Sequence, residues 1–207
     1  MHDIQPLVES IAETVFAHQL DRPGAYCRWL RHGRTVGKED GVNEYGCADA
    51  ANILYTIDHF PSSQIERADW MAVLQGLQQP ETGLFSEPTH HPIHCTAHCT
   101  AALELFDARP RHRIRALAPF ATADGVRQFL DALPWVNDPW NASHRGAGLF
   151  AALVLNREVD GAWQDAYFNW LWDEADPQTG FWRKGCIRAE GSAPLFPHLA
   201  GTFHYLF

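Results

Sequence analysis

Apolar positions along the chain recur at intervals of three and four residues. Between Arg67 and Gln79 they fall at Trp70, Val73, Leu74 and Leu77, and between Trp163 and Glu174 at Trp163, Tyr167, Trp170 and Leu171. This spacing gathers apolar side chains on one face of a 3.6-residue helix and predicts an amphipathic helix over each stretch. Met1 to Leu20 follows the same period. No segment alternates at period two over a strand's length, so the chain reads as all-α.

The helices also repeat. Ala50-Ala51-x-x-Leu54 returns as Ala101-Ala102-x-x-Leu105 and as Ala151-Ala152-x-x-Leu155, at offsets of 51 and 50 residues. A second element interleaves with it: Gln79-Pro80-Glu81-Thr82-Gly83-Leu84-Phe85 matches Asp176-Pro177-Gln178-Thr179-Gly180-Phe181-Trp182, with Asp21-Arg22-Pro23-Gly24-Ala25-Tyr26 a looser copy. Proline cannot continue a helix interior and glycine accepts the left-handed conformation that closes one, so these segments read as helix terminators. In the third unit Asn137-Asp138-Pro139-Trp140 stands where that turn is expected. Each unit is therefore an αα-hairpin: an outer, aromatic-rich helix, a turn, and an inner helix whose alanine pair allows close approach. About four such units of roughly 50 residues make one domain over residues 1–207, incomplete at its C-terminal end, where Pro197 to Phe207 reads as the start of a further inner helix.

Composition narrows the partners. The 207 residues carry 25 acidic against 16 basic side chains, a net charge of −9 without a basic run, which argues against nucleic acid. The apolar run from Ala147 to Leu155 is far short of the ~20 residues of a membrane span. The odd set Cys27, Cys47, Cys95, Cys99 and Cys186 does not suit a secreted disulfide framework, and the N-terminus does not read as a secretory signal; a cytoplasmic protein with reduced thiols is expected.

The alternation of alanine-pair and aromatic-rich helices resembles the α/α-toroid superfamily, which includes terpenoid cyclases, protein prenyltransferase subunits, six-hairpin glycosidases and sugar epimerases. The resemblance implies a ring or arc of hairpins with a site at one mouth. It also implies that a chain this short forms an open arc, completed by a second copy or a partner through the edge at Phe203 to Phe207.

Alignment on the alanine pairs puts Asn43, His94 and His144 in one register, at the N-terminal mouth of the inner helices. Unpaired N–H groups and the positive dipole ends there favour an oxygen-rich or anionic small molecule. His94 and His144 are the candidate acid and base, with Glu87 and Asp138 as the carboxylates; Asn43, Tyr45, Cys47, Asp49, His98, Trp140, Arg145 and Trp182 are candidates for substrate binding. Ser143 reads as the N-cap of the third inner helix. No cofactor is expected. The alternative is zinc on the i, i+4 pair His94 and His98, although no Glu follows His94 as in His-Glu-x-x-His.

The functional expectation is an enzyme of hydrolase, lyase or epimerase type acting on a carbohydrate-like or other polar small molecule. A non-enzymatic helical scaffold, or a subunit completing a ring, is the alternative. A terpenoid cyclase or transferase is a further one, for which the Asp-x-Asp-Asp acid is absent.

Overall fold

A computed structural model describes residues 3–31, 34–35, 41–183 and 195–206. Cys186 and Phe207 lie outside these residues. Among the described residues the elements are helices apart from a two-residue antiparallel ladder, and the chain divides into two compact units, residues 1–113 and 114–207.

The first unit holds α1 (Gln5–Ala17), the ladder strands β1 (Leu30–Arg31) and β2 (Arg34–Thr35), α2 (Glu44–Thr56), α3 (Gln64–Gly76) and α4 (Pro92–Glu104). The two alanine-pair helices, α2 and α4, pack chiefly on each other, and α1 and α3 join them from outside. The small residues Ala48, Ala51 and Ala102 are fully buried, as close helix approach requires. The core beside them is aromatic: Trp70 of α3 lies 5.0 Å from Tyr26 and 5.6 Å from Phe106, between ring centroids. Burying one such ring contributes on the order of 2–3 kcal/mol.

The second unit opens with a 3₁₀-helix (Arg115–Phe120), followed by α5 (Ala123–Asp131), α6 (Pro139–Leu155), α7 (Gly161–Glu174) and α8 (Leu195–Phe203). Here α6 packs on α8, and α5 on α7. Three buried ring donors are satisfied: Trp163 Nε1 donates to Phe120 O at 2.8 Å, Trp135 Nε1 to Leu130 O at 2.7 Å and Trp170 Nε1 to Asp131 at 2.9 Å. Among the described residues no helix is long and apolar enough to cross a membrane.

Local geometry recurs where the sequence does. Leu20, Gln79 and Asp176 each donate their N–H to the carbonyl five residues on, at 2.8, 2.9 and 2.7 Å, and each turn closes on a glycine with positive φ, Gly24, Gly83 or Gly180. Two residues past that glycine the backbone N–H is received by a side chain of the following helix. Phe85 donates to Thr96 Oγ1 at 3.0 Å, Trp182 to Thr202 Oγ1 at 3.1 Å and Tyr26 to Cys47 Sγ at 3.4 Å. The helices α2, α4 and α6 also end alike. Asp58, Asp107 and Arg157 take φ near 60°, 59° and 54°, and the next N–H closes a six-residue loop onto Leu54, Leu103 or Leu153.

These hydrogen bonds set a register that differs from the alanine-pair alignment. Cys47 corresponds to Thr96 and Leu54 to Leu103, so the structural counterpart of His94 in α2 is Tyr45 and not Asn43. The alanine pairs mislead by two residues here because alanine tolerates several positions at a close crossing, whereas a turn amide and a helix end each accept one.

Candidate functional site

The counterparts in α2 and α4 meet. Tyr45 and His94 share a hydrogen bond through the phenol and Nδ1, and Asp49 Oδ1 lies 2.7 Å from His98 Nε2. A second carboxylate–imidazole pair comes from the turn before α4, where Glu87 Oε1 is 2.8 Å from His90 Nδ1. His90 stacks on Tyr45 with centroids 3.9 Å apart, and His98 lies 4.7 Å from the same ring. The guanidinium of Arg28 sits 4.5 Å over it as well. Three imidazoles, two carboxylates and one guanidinium thus surround a single buried phenol.

Local sequence explains each placement. Asn43 caps α2 by accepting from Gly46 N at 2.9 Å, which fixes the first turn carrying Glu44 and Tyr45. His91 caps α4 ahead of Pro92, and Thr96 pins that helix to the Gly83 turn, setting the height of His94 and His98. Glu87 accepts from Thr89 N at 3.0 Å and from Thr89 Oγ1 at 2.8 Å, so its side chain is held although only 1% of it is exposed.

The electrostatics follow from these contacts. Burial alone would raise the Glu87 pKa, but the hydrogen bonds from Thr89 and His90, with the charge of Arg28, outweigh it and hold the carboxyl below its ordinary 4.5. Glu44 moves the other way, raised by burial with the nearby Glu87 charge adding to it. Burial pushes the Tyr45 phenol far above its ordinary value, so it stays protonated. Cys47 is fully buried and its thiol is pushed up to about 12, chiefly by burial. Its sulfur is occupied by the Tyr26 amide, which opposes a nucleophilic role.

Of the sequence-predicted residues, Glu87, Tyr45, Asp49, His94 and His98 converge. Asn43 is engaged as a helix cap. For the zinc alternative, the His94 and His98 rings stack 6.2 Å apart, each with one nitrogen already committed, to Tyr45 and to Asp49.

The remaining candidates belong to the second unit, where each has the following partners. Asp138 caps α6, accepting from Asn141 N at 3.3 Å and from Asn141 Nδ2 at 2.6 Å. Ser143 is therefore not the cap: Asp138 and Pro139 start the helix earlier and leave Ser143 inside it. Its hydroxyl donates to Ala200 O at 2.6 Å and lies 2.8 Å from His204 Nδ1, clasping α6 to α8. His144 is buried with its ring 4.7 Å from that of His204, whose pKa burial lowers to about 4. Trp140 stacks on Phe203 at 5.2 Å, Arg145 lies 5.8 Å over Phe129, and the Trp182 ring is 5.7 Å from Tyr205. Sequence reasoning missed Arg28 and Glu44 as members of the site, whereas His90 was expected among the turn residues at the mouth. Arg28 stands beyond the Gly24 turn and far from the dense histidine run in sequence.

No protein-family model, curated protein or solved structure matches the chain.

Proposed function

We propose that the chain is an acid–base enzyme acting on a carbohydrate-like, hydroxyl-bearing small molecule, with Tyr45 and His94 as the proton-transferring pair. The observation that carries this reading is the hydrogen bond between Tyr45 and His94, flanked by two carboxylate–imidazole pairs in one cluster. Such a constellation has separate groups to take and to give a proton.

The tautomer with its proton on Nδ1 lets His94 donate to the Tyr45 oxygen and keeps a lone pair on Nε2. His94 Nε2 takes a proton from a substrate C–H or O–H, and Tyr45 gives its own to the substrate oxygen that gains charge or departs. The resulting phenolate is stabilised by the imidazolium and regains a proton from Nδ1. That sequence serves epimerisation or elimination, and hydrolysis if water is the group deprotonated. The raised pKa of Tyr45 means that the phenol carries its proton at rest, so the imidazolium beside it has to stabilise the phenolate that forms. Asp49 orients His98 as a second base or a substrate hydrogen-bonding group.

The recurring turns and helix ends support the accompanying proposal of an α/α-toroid-like arc of hairpins. We also propose a cytoplasmic setting, which the free thiols of Cys27, Cys47, Cys95 and Cys99 support. The alternative of a ring-completing subunit or homo-oligomer is favoured by one observation, the exposed Phe196, Leu199, Phe203 and Leu206 along α8 and just past it.

The test is proton exchange. The full chain is incubated in D₂O with neutral sugars, sugar acids and sugar phosphates, and ¹H NMR follows loss of C–H signals or appearance of products. Exchange or turnover that falls at least 100-fold in Tyr45→Phe and His94→Gln, both folded by circular dichroism, is expected. Activity retained in both variants, or none on any member of the panel, overturns the reading.

A further inference from the structure

The second unit holds a histidine pair that the acid–base reading leaves unused. His144 of α6 and His204, just past α8, are each 6% exposed, with their rings 4.7 Å apart and inclined at 51°. Both stand beside the clasp that Ser143 makes between α6 and α8. Leucine or phenylalanine would fill such a helix contact without bringing a polar atom to satisfy, so two adjoining imidazoles call for a reason beyond packing.

The tautomer of His204 follows from its partner. Ser143 Oγ has one proton and two backbone acceptors in reach, Ala200 O at 2.6 Å and Trp140 O at 3.1 Å. Toward His204 Nδ1, 2.8 Å away, the hydroxyl therefore accepts, which puts the ring proton on Nδ1 and a lone pair on Nε2. Metal-binding imidazoles are fixed in the same way, the far N–H held by an oxygen while the other nitrogen is aimed at the ion. Trp140 and Phe203 meet the His204 ring edge-on at 4.6 and 5.4 Å and hold its plane. Burial disfavours the charged ring, and the neutral ring is the one that ligates. A ligand nitrogen of His144 lies within 4.8 Å of one on His204. Two nitrogens on a tetrahedral zinc ion are about 3.3 Å apart, so a modest rotation of the His144 ring closes the gap.

We propose that His144 and His204 bind a divalent transition-metal ion of the zinc type, with Ser143 orienting His204 and the remaining coordination positions left to water. A pair of imidazoles without a carboxylate favours zinc, copper or nickel over magnesium or calcium, which take oxygen ligands. This site goes beyond the acid–base reading and does not depend on it.

The full chain, stripped with EDTA and dialysed, is titrated calorimetrically with Zn²⁺ and with Mg²⁺, and its melting point is followed in parallel. A tightest site of one zinc per chain is expected, with a melting point that rises with zinc and is unmoved by magnesium. His144→Gln and His204→Gln should each weaken that site about tenfold or more, whereas His98→Gln in α4 should leave it unchanged. Because His204→Gln also loses the Ser143 contact, electron paramagnetic resonance of the wild type with one equivalent of Cu²⁺ gives a reading that needs no variant: nitrogen splitting from at least two imidazoles is expected. No zinc uptake, uptake that survives both the His144 and the His204 substitution, uptake lost in His98→Gln, or a copper signal with fewer than two nitrogens overturns the site.

Discussion

Replacing Thr96 by valine removes one oxygen from the interior and keeps nearly the same volume. That oxygen accepts the Phe85 amide at 3.0 Å and donates to Pro92 O at 2.7 Å, and Thr96 is fully buried. The loss falls unequally on its two partners. Pro92 O keeps its place in the helix ladder, whereas the Phe85 N–H is left in a dry interior without an acceptor. An orphaned buried donor costs about 1–3 kcal/mol, so about 2 kcal/mol is expected for Thr96→Val. Thr96→Ser keeps the oxygen and gives up a methyl group, about 1 kcal/mol. Guanidinium unfolding followed by circular dichroism reads both values from the midpoint at constant slope. In a thermal scan the valine change should lower the melting point by about 8–16 °C if the 1–113 unit melts by itself and by about 4–8 °C if all 207 residues melt together. A valine variant within about 0.5 kcal/mol of wild type, or a serine variant as unstable as the valine one, refutes the argument that the turn amide needs this oxygen.

Two further predictions concern the acidic limb and a close contact. The folded-state pKa of Glu87 lies below its unfolded value, so the stability it contributes is complete above about pH 5–6 and is lost as pH falls through 4.5 and below. The stability gap between wild type and Glu87→Gln should therefore close on acidification; urea midpoints from pH 7 to pH 3 that stay a constant distance apart contradict this. Gly146 in α6 has no room for a side chain, because a Cβ there would strike the Tyr205 hydroxyl and come within 3.2 Å of Leu130 Cδ2. Gly146→Ala should cost about 1–3 kcal/mol despite its better helix propensity, whereas Gly161→Ala in α7, with nothing near, should be neutral or stabilising in the same unfolding assay.

The helices were legible in the sequence because their signal is periodic and local. Trp70 and Val73 placed α3, Trp163 and Trp170 placed α7, and the prolines and glycines of the turns marked where the helices stop. The site was legible in part. Tyr45, Asp49, Glu87, His94 and His98 stood out as reactive types near helix starts. Their pairing depended on a register fixed by one amide-to-side-chain bond per turn, and a thiol and two hydroxyls perform that task, so no shared residue type announced it. Asp138 illustrates the converse. A carboxylate before a proline has the same appearance in sequence whether it faces a substrate or caps a helix, and only the bonds to Asn141 decide.

The substitution of sulfur for oxygen at Cys47 has a consequence for the order in which the turns come undone. Sulfur is a weak, diffuse acceptor, and the Tyr26 amide meets it at 3.4 Å where its counterparts meet hydroxyls at 3.0 and 3.1 Å. Of the three clasps, the one at Gly24 has the weakest latch, and its amide exchanges with solvent soonest when the native state breathes. Arg28, whose guanidinium lies 4.5 Å over Tyr45, follows two residues after that latch in the chain. The thiol thereby makes the segment from Gly24 to Arg28 the one expected to yield first.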